Sequence, residues 1–188
     1  MGCQSLGMGH IVQEDQTVIL ADALRIAEHV RDSLAPHCAR IEIAGSIRRR
    51  RPDVGDIEIV CIPKFELDPD SLIPIYRRSF DFIRVVDGWE KVKGAATGKY
   101  CQRIGPDGMK LDIFIANPDN FGLILAIRTG SAEYSHRVLA TGWVRNGYKS
   151  VNGMLTRNGA AIPTPEETDL FRLAGVPWTE PEKREVKP

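Results

Sequence analysis

The sequence has 188 residues, which is enough for one compact domain or for a domain with a small appendage. Hydrophobic residues make up 43% of the chain and charged residues 27%, a balance that excludes intrinsic disorder as the default interpretation. The 25 Lys and Arg residues equal the 25 Asp and Glu residues, and this zero net charge argues against a protein that coats nucleic acid non-specifically.

Cysteines, histidines and apolar runs give no sign of a zinc site, a disulfide framework or a membrane segment. The four cysteines are scattered without a CxxC pair, which is typical of a protein kept in a reducing compartment. No apolar run reaches the roughly 20 residues that a membrane-spanning helix requires, and the start of the chain does not resemble a signal peptide. We therefore expect a cytoplasmic protein that does not act at a membrane, and we expect a monomer.

The first half of the chain alternates between helical and strand patterns. Residues 1–10 are Gly-rich and are expected to form a flexible leader. From about Asp15 to Leu34 apolar residues recur at helical spacing, which predicts a helix packed on a core. The apolar pattern predicts strands over residues 41–44 and 56–62. A short helix is expected over residues 72–82.

The second half is predicted to contain a hairpin, two helices and several tight turns. Two strand patterns, over residues 99–103 and 110–115, flank a Gly-Pro-Asp-Gly turn and predict a β-hairpin. Residues 121–127 and 132–142 carry apolar patterns expected of helices. Three Asn-Gly pairs then favour hairpin turns: Asn146-Gly147, Asn152-Gly153 and Asn158-Gly159.

Carboxylates interrupt two of the predicted strands. Asp56 and Glu58 are two residues apart, so their side chains point to the same face of a strand, roughly 6–7 Å apart along the chain. Asp112 breaks the otherwise apolar pattern of another strand. Carboxylates on one face repel each other unless a cation lies between them, and such oxygen-rich clusters suit Mg²⁺ or Mn²⁺. We interpret Asp112 as a metal-binding or catalytic residue rather than a residue of a solvated face.

A Gly-Ser pair and an arginine run precede the first two carboxylates. Gly45 and Ser46 lie between a predicted strand and a predicted short helix, where backbone N–H groups can approach phosphate closely. Ser46 can donate a hydroxyl hydrogen bond, and Arg49 can bind phosphate oxygens through two N–H groups. The other members of the run, through Arg51, are interpreted either as a solvated loop or as general electrostatic attraction for nucleic acid.

These residues together resemble a known family. Gly45-Ser46-x-Arg48-Arg49, Gly55-Asp56-x-Glu58 and Asp112 look like motifs of the polymerase beta-type nucleotidyltransferases, the family-X DNA polymerases. Thr129-Gly130-Ser131 resembles the turn that this family has beside the incoming nucleotide. The C-terminal residues resemble the ending of the family, which few other nucleotidyltransferases share: Pro165-Glu166-Glu167, Phe171, Leu173 to Trp178, and Pro181-Glu182-x-Arg184.

The resemblance implies a fold and a domain organisation. The expected fold is α+β, a polymerase beta-like palm with a mixed sheet and helices, followed by a small C-terminal α/β domain. The catalytic palm would span residues 11–118, and the domain that contacts nucleotide and DNA would span residues 119–188. This layout looks like the minimal viral members of the family, which keep only these two parts.

The resemblance also implies a reaction. Asp56, Glu58 and Asp112 would hold two Mg²⁺ or Mn²⁺ ions, which activate a primer 3′-OH and neutralise the leaving pyrophosphate. The nucleoside triphosphate would be bound by Gly45, Ser46, Arg49, Gly55, Gly130 and Ser131. The expected function is a DNA-directed DNA polymerase of the repair or gap-filling type, with a primer–template or gapped duplex as its DNA partner.

Five positions depart from the usual pattern of the family. Glu58 stands where Asp is usual, and its extra methylene shifts the carboxylate by about 1.5 Å, so an altered metal preference is expected. Ile127 and Arg128 stand where two aromatic residues often screen the sugar, so the selectivity between dNTP and rNTP is expected to differ. Ser135 and Leu139 replace an Asn and an Arg that often contact the base and the template, so fidelity is expected to differ as well.

Two other functions are compatible with the same residues. The chemistry could serve a different acceptor, such as an RNA end, a protein or a small molecule, although the Thr-Gly-Ser turn and the C-terminal residues argue against this. Alternatively, the chain could be a catalytically silent nucleic-acid-binding module, with Glu58 as a sign of decay. Against that reading, all three carboxylate positions are acidic, and Ser46 and Arg49 are present.

Overall fold

The computed structural model describes residues 17–69, 71 and 73–186. The predicted leader over residues 1–10 and the predicted start of the first helix at Asp15 lie outside the described residues. Helices and a mixed sheet make up the fold, so it is mixed α+β as expected. None of the helices in the described part of the chain is long and apolar enough to cross a membrane.

The bounds of the elements are as follows. The helices are α1 Leu20–Leu34, α2 Gly45–Arg48, α3 Phe80–Asp87, α4 Phe121–Thr129, α5 Ala132–Tyr134, α6 Thr141–Arg145 and α7 Glu167–Ala174. A π-helical turn, Ser135–Ala140, connects α5 to α6. The strands are β1 Val18–Ile19, β2 Cys38–Ile43, β3 Asp53–Val54, β4 Asp56–Pro63, β5 Phe65–Leu67, β6 Tyr76–Arg78, β7 Glu90–Lys93, β8 Tyr100–Ile104, β9 Lys110–Ile115, β10 Lys149–Val151, β11 Met154–Arg157 and β12 Ala160–Ile162.

A five-stranded central sheet has the order β2-β4-β9-β8-β7. Strands β4 and β9 are parallel, and the other neighbouring pairs are antiparallel. β4 is buried continuously from Ile59 to Pro63, as an apolar strand that is covered on both faces should be. Polar residues enter this strand only at its first half, and that is the part of the sheet where the predicted carboxylates lie.

Hydrophobic clusters cover both faces of the central sheet. On one face α1 and α3 pack against a cluster that contains Ile57 and Leu111. On the other face α4 packs through Phe121 against Val60 and Phe114. Because α4 covers only part of this second face, the first half of β4 and its neighbours are left accessible there.

The C-terminal part of the chain has a hydrophobic cluster of its own. It includes Leu123 from α4, Leu155 from β11 and Leu170 from α7. Helix α4 therefore contributes to this cluster as well as to the cluster on the sheet. The predicted division of the chain into residues 11–118 and 119–188 stays a prediction.

Most predicted elements are confirmed, with shifts at their ends. Helix α1 ends at Leu34 as expected, whereas β2 begins at Cys38, three residues earlier than predicted. The β8–β9 hairpin, helix α4 and the helical segment that starts at Ala132 are all present. That last segment continues to Arg145 through the π-helical turn, past its predicted end.

The helix predicted over residues 72–82 is wrong. Strands β5 and β6 form a hairpin in this region, and the helix begins only at Phe80. Pro74 explains part of the difference, because proline removes a backbone donor and disfavours a helical conformation in the residue before it. The strand β7 was missed because all of its side chains are exposed, so no apolar alternation marks it.

Two of the three predicted Asn-Gly hairpins are confirmed. Asn152-Gly153 joins β10 to β11, and Asn158-Gly159 joins β11 to β12, with both residues of each pair at positive φ. This is the conformation that a two-residue turn of this type requires. The third prediction is wrong, since Asn146-Gly147 ends α6 instead. There the Gly147 N–H donates to the carbonyl of Val144, and the Asn146 amide donates to Leu173.

Candidate active site

The three predicted carboxylates lie side by side on neighbouring strands. The parallel register of β4 and β9 pairs Glu58 with Asp112, and Asp56 precedes Glu58 by two residues. Burial alternates on both strands, because Ile57 and Leu111 face the core under α1 while the carboxylates are half-buried on the opposite face. The fold thus brings Asp56, Glu58 and Asp112 to one face of the sheet, as the sequence pattern predicted.

Strand β8 fixes the orientation of Asp112. The Tyr100 hydroxyl and the Gln102 side-chain amide both donate to Oδ1 of Asp112, at 2.7 and 2.9 Å. Burial raises the pKa of Tyr100 to about 12, and its hydrogen bond to Asp112 adds to the shift, so the phenol stays a neutral donor. Neither Tyr100 nor Gln102 belongs to the motifs that marked the predicted site. Their alternation with buried Cys101 was the available signal, because it puts them on the carboxylate face.

The environment of Glu58 disfavours its charged form. Burial raises its pKa to about 7, and the negative charges of Asp56 and Asp112 act in the same direction. Arg128 and Arg49 oppose the shift. A carboxyl group whose pKa is raised by burial and by like charges is typical of a functional site.

Gly45 makes room for the Glu58 side chain. It begins α2 with φ of +64°, and a Cβ atom built on it would overlap the Glu58 carboxylate. Only glycine adopts this backbone conformation readily and leaves the space empty. Gly45 is therefore needed to hold the carboxylate, and the longer Glu side chain uses the space that a residue with a Cβ would fill.

The donor set fits a hard divalent cation in its chemistry. Three carboxylates share one face, and their mutual repulsion contributes to the raised pKa of Glu58. Among the described residues, however, no three acidic, histidine or cysteine side chains converge as a ready-made metal cluster. At this point of the site the Glu58 carboxylate extends over Gly45. Binding an ion through all three would require the Glu58 side chain to turn.

A cavity of about 440 Å³ opens next to Glu58, between the sheet and the C-terminal helices. We call it the Arg49 cavity. It is lined by Arg49, Glu58, Ile127, Arg128, Gly130, Ser131, Ala132, Ser135, His136, Ala140 and Trp143. Its volume lies within the range usual for small-molecule sites. The fold therefore brings four predicted site residues to one cavity: Arg49, Glu58, Gly130 and Ser131.

The remaining predicted site residues lie outside the lining of this cavity. Ser46 is in α2, and its hydroxyl oxygen is buried without a hydrogen-bond partner among the described residues. Gly55 is exposed, and open space surrounds the position of a Cβ atom there. An unpartnered buried hydroxyl is unusual in a folded protein, and the donor and acceptor of Ser46 are used by no described residue.

The Arg49 guanidinium is held by two protein groups. Its Nε donates to Oε1 of Glu185 at 2.7 Å, and its Nη1 donates to the carbonyl of Thr129 at 2.7 Å. The Nη2 group makes no hydrogen bond with the described residues and stays free to bind a ligand. The sequence suggested Arg49 as a phosphate-binding residue but gave no indication of Glu185 as its partner.

The other arginines of the run all contact C-terminal glutamates, and Arg50 and Arg51 are exposed. Arg48 forms a two-pronged ion pair with Glu167, at 2.8 and 2.7 Å, and also donates to the hydroxyl of Thr129. Arg50 pairs with Glu182 at 3.2 Å, and Arg51 approaches Glu185 at 3.9 Å. Each of these arginines thus contacts a C-terminal glutamate, and both interpretations, a solvated loop and a general attraction for nucleic acid, stay predictions.

The Thr129-Gly130-Ser131 turn is tied into the fold by its own backbone. The Gly130 N–H donates to Ala126, and the Ser131 N–H donates to the carbonyl of Arg184. The Ser131 hydroxyl accepts from the N–H of Tyr134 and begins helix α5. Both N–H groups are thus used internally, and the hydrogen of the Ser131 hydroxyl is the donor that this pair can still offer to a ligand.

A second, larger groove of about 890 Å³ lies on the same face of the sheet, beyond Asp112. We call it the Tyr100 groove. Its charged lining residues are all basic among the described residues: Lys64, Arg78, Lys99 and Arg128. Its floor contains Tyr100 and Phe114, whose rings stack with centroids 5.1 Å apart. Arg128 lies 4.0 Å above the Phe114 ring and lines both the groove and the Arg49 cavity, so the two are adjacent.

Comparison with known proteins finds a partial similarity to a DNA polymerase. No protein-family model matches the chain. The chain is 31% identical to DNA polymerase lambda of Rattus norvegicus over 91 residues, which cover 40% of this chain. The matched part amounts to 15% of the length of that polymerase. The chain is therefore similar, over part of its length, to a DNA polymerase.

Proposed function

We propose that this protein is a nucleotidyltransferase that adds nucleotides to a nucleic-acid 3′-OH, as a gap-filling DNA polymerase of family X. The observation that carries the proposal is the row of carboxylates Asp56, Glu58 and Asp112 beside the Arg49 cavity. The partial similarity to a DNA polymerase supports the same reaction class. Residues 11–118 would form the palm, and residues 119–188 would close over the nucleotide.

The reaction transfers a nucleoside monophosphate. The 3′-oxygen of the primer forms a bond to the α-phosphorus, the bond from that phosphorus to the bridging oxygen breaks, and pyrophosphate leaves with the electron pair. The proton of the 3′-OH passes to solvent. Two Mg²⁺ or Mn²⁺ ions held by Asp56, Glu58 and Asp112 would supply charge neutralisation and lower the pKa of the 3′-OH.

The protein's own groups would position the reactants. Arg49 would bind a triphosphate oxygen through its free Nη2 group, and Ser46 would donate its unpartnered hydroxyl. Tyr100 and Gln102 would keep Asp112 oriented toward the reacting atoms. Positioning and electrostatic stabilisation of this kind account for most of the catalysis of phosphoryl transfer.

The basic residues of the Tyr100 groove support a nucleic acid as the acceptor. Lys64, Lys99 and Arg128 would attract phosphates. The exposed ring of Phe65 and the partly exposed ring of Tyr100 would suit the stacking of bases. The groove begins at the Tyr100 hydroxyl that binds Asp112, so a strand lying in it would reach the carboxylates.

Primer extension on a one-nucleotide-gapped duplex tests the proposal. The reaction would contain Mg²⁺ or Mn²⁺ and each dNTP or rNTP separately, with Asp112→Asn as the inactive control. We expect incorporation of the templated nucleotide by the wild type and its loss in the variant. Incorporation into a protein or a small molecule without any into DNA would favour a different acceptor, and inactivity with every acceptor and both metals would favour a silent binding module.

A further inference from the structure

Glu185 makes a direct contact with the phosphate-binding arginine that the sequence motifs do not include. Its Oε1 accepts from Arg49 Nε at 2.7 Å, and the pair is largely enclosed, with side-chain exposures of 13% for Arg49 and 32% for Glu185. Arg51 is at 3.9 Å from the same oxygen, but it is half exposed and contributes less. Glu185 therefore acts mainly on Arg49.

The backbone that carries Glu185 is anchored against the same turn that contacts Arg49. The carbonyl of Arg184 accepts from the Ser131 N–H at 3.0 Å. The Arg184 side chain is fully buried and forms an ion pair with Glu167. Arg49 in turn donates to Thr129, two residues before Ser131. Glu185, Arg49 and the turn are thus fixed to one another from both sides.

We propose that Glu185 is a positioning residue, which holds the Arg49 guanidinium in the orientation that binds the triphosphate. The inference rests on the proposed function only in naming the triphosphate as the ligand. With Nε and Nη1 satisfied by Glu185 and Thr129, the guanidinium plane is fixed and Nη2 is left for the ligand. A group held in its binding geometry loses less conformational freedom when the ligand binds.

A competing role for Glu185 makes the opposite prediction. A carboxylate on a phosphate-binding arginine could instead act as an anion that the triphosphate must displace. The geometry favours positioning, because Glu185 engages Nε and leaves Nη2 open, and because the burial of Arg184 holds the segment in place. Removal of Glu185 would weaken triphosphate binding if it positions Arg49, and would strengthen binding if it competes.

Binding of inorganic triphosphate and of dATP, measured by calorimetry with Mg²⁺, separates the two roles. We expect Glu185→Ala to weaken binding of both ligands by about ten-fold or more. Glu185→Gln should recover most of the affinity, because its amide oxygen still accepts from Nε. Glu182→Ala is the matched control, since Glu182 pairs with exposed Arg50 and not with Arg49, and it should bind like the wild type.

Steady-state kinetics adds a readout that a loss of folding would not imitate. We expect Glu185→Ala to raise the KM for the nucleotide with little change in kcat, and with wild-type thermal stability. Unchanged or tighter triphosphate binding in Glu185→Ala would overturn the inference. So would an Arg49→Ala variant that binds triphosphate as tightly as the wild type, because Arg49 would then not be a triphosphate ligand. If triphosphate binding depends on Glu185 but no primer is extended, the positioning role stands and the polymerase function fails.

Discussion

The carboxylate of Glu58 occupies the space that a side chain at Gly45 would fill. This contact links the first turn of α2 to the first half of β4, and Gly45 can accept it because it has no Cβ and a φ of +64°. The Gly-Ser motif and the acidic motif therefore meet in the fold, 13 residues apart in the chain. A substitution at Gly45 should therefore displace the Glu58 side chain, and a substitution at Glu58 should change the space next to Gly45.

We expect Gly45→Ala to destabilise the protein and to displace Glu58. The alanine would have to adopt a left-handed backbone conformation, and its Cβ would overlap the Glu58 carboxylate. Together these effects should lower the free energy of unfolding by about 1–3 kcal/mol. Urea denaturation measures this, with Gly55→Ala as a stability control, since a Cβ there meets only open space. In a double-mutant cycle, Glu58→Ala should relieve part of the cost. Additive effects would mean that the two residues do not interact.

The raised pKa of Glu58 should make stability depend on pH. Its pKa is about 7 in the folded protein and near 4.5 in the unfolded chain, so the folded state binds the proton more tightly between these values. The cost of holding the charged carboxylate in the folded protein is therefore full above pH 7. It is relieved as the pH falls toward 4.5, by on the order of 3 kcal/mol.

Glu58→Gln tests this pH dependence in metal-free protein. We expect the variant to be more stable than the wild type at pH 8 and the difference to shrink as the pH is lowered to 5. Denaturation at several pH values with a chelator present gives the comparison. A difference that stays constant across this range would show that the Glu58 carboxyl group is not perturbed.

Tyr100 should support catalysis through Asp112. Tyr100→Phe keeps the ring but removes one of the two donors to the Asp112 carboxylate. Loss of such an orienting partner commonly reduces metal affinity or activity by about 10–100-fold. We expect kcat in primer extension to fall within that range while the KM for the nucleotide changes little. Tyr148→Phe, in the C-terminal cluster, is the control, and equal kcat values for the two variants would exclude the role.

The sequence predicted the elements of the fold better than the contacts of the site. Apolar periodicity identified α1, β4 and the β8–β9 hairpin because these elements bury one face. It failed for β7, which is exposed, and for residues 72–82, where Pro74 and a hairpin overrode a helical pattern. Propensity and periodicity are local, and they carry no information about an element that is stabilised by its neighbour in space.

The candidate site shows the same limit. The carboxylates could be placed on one face because alternation along a strand is a local rule. The partners of the arginine run could not be predicted in this way. Arg48, Arg49 and Arg50 contact glutamates that lie more than 100 residues away in the chain. The acidic C-terminal segment was visible in the sequence, but its pairing with the arginines depends on how α7 and the following residues pack.

The pairing at Glu167 should be the most costly of these to remove. Its carboxylate accepts from Arg48 and from fully buried Arg184. Burial alone would raise the pKa of Glu167, yet hydrogen bonds from the two arginines hold it below the ordinary value. Removing one member of a buried ion pair leaves the others uncompensated, which costs roughly 3–5 kcal/mol.

We therefore expect Glu167→Gln to lower the free energy of unfolding by about 3 kcal/mol. The neighbouring Glu166 provides the control, because it pairs with Arg40 at the surface, where both side chains are at least one-third exposed. Glu166→Gln keeps an acceptor at the start of α7 and should cost less than about 1 kcal/mol. Urea denaturation at low and high salt distinguishes the two, since salt screens a surface pair much more than a buried one. If both variants lost the same stability, the position of buried Arg184 would not depend on its ion pair with Glu167. The Glu185 segment would then be anchored by the contacts of the Arg184 guanidinium with the Phe171 and Trp178 rings.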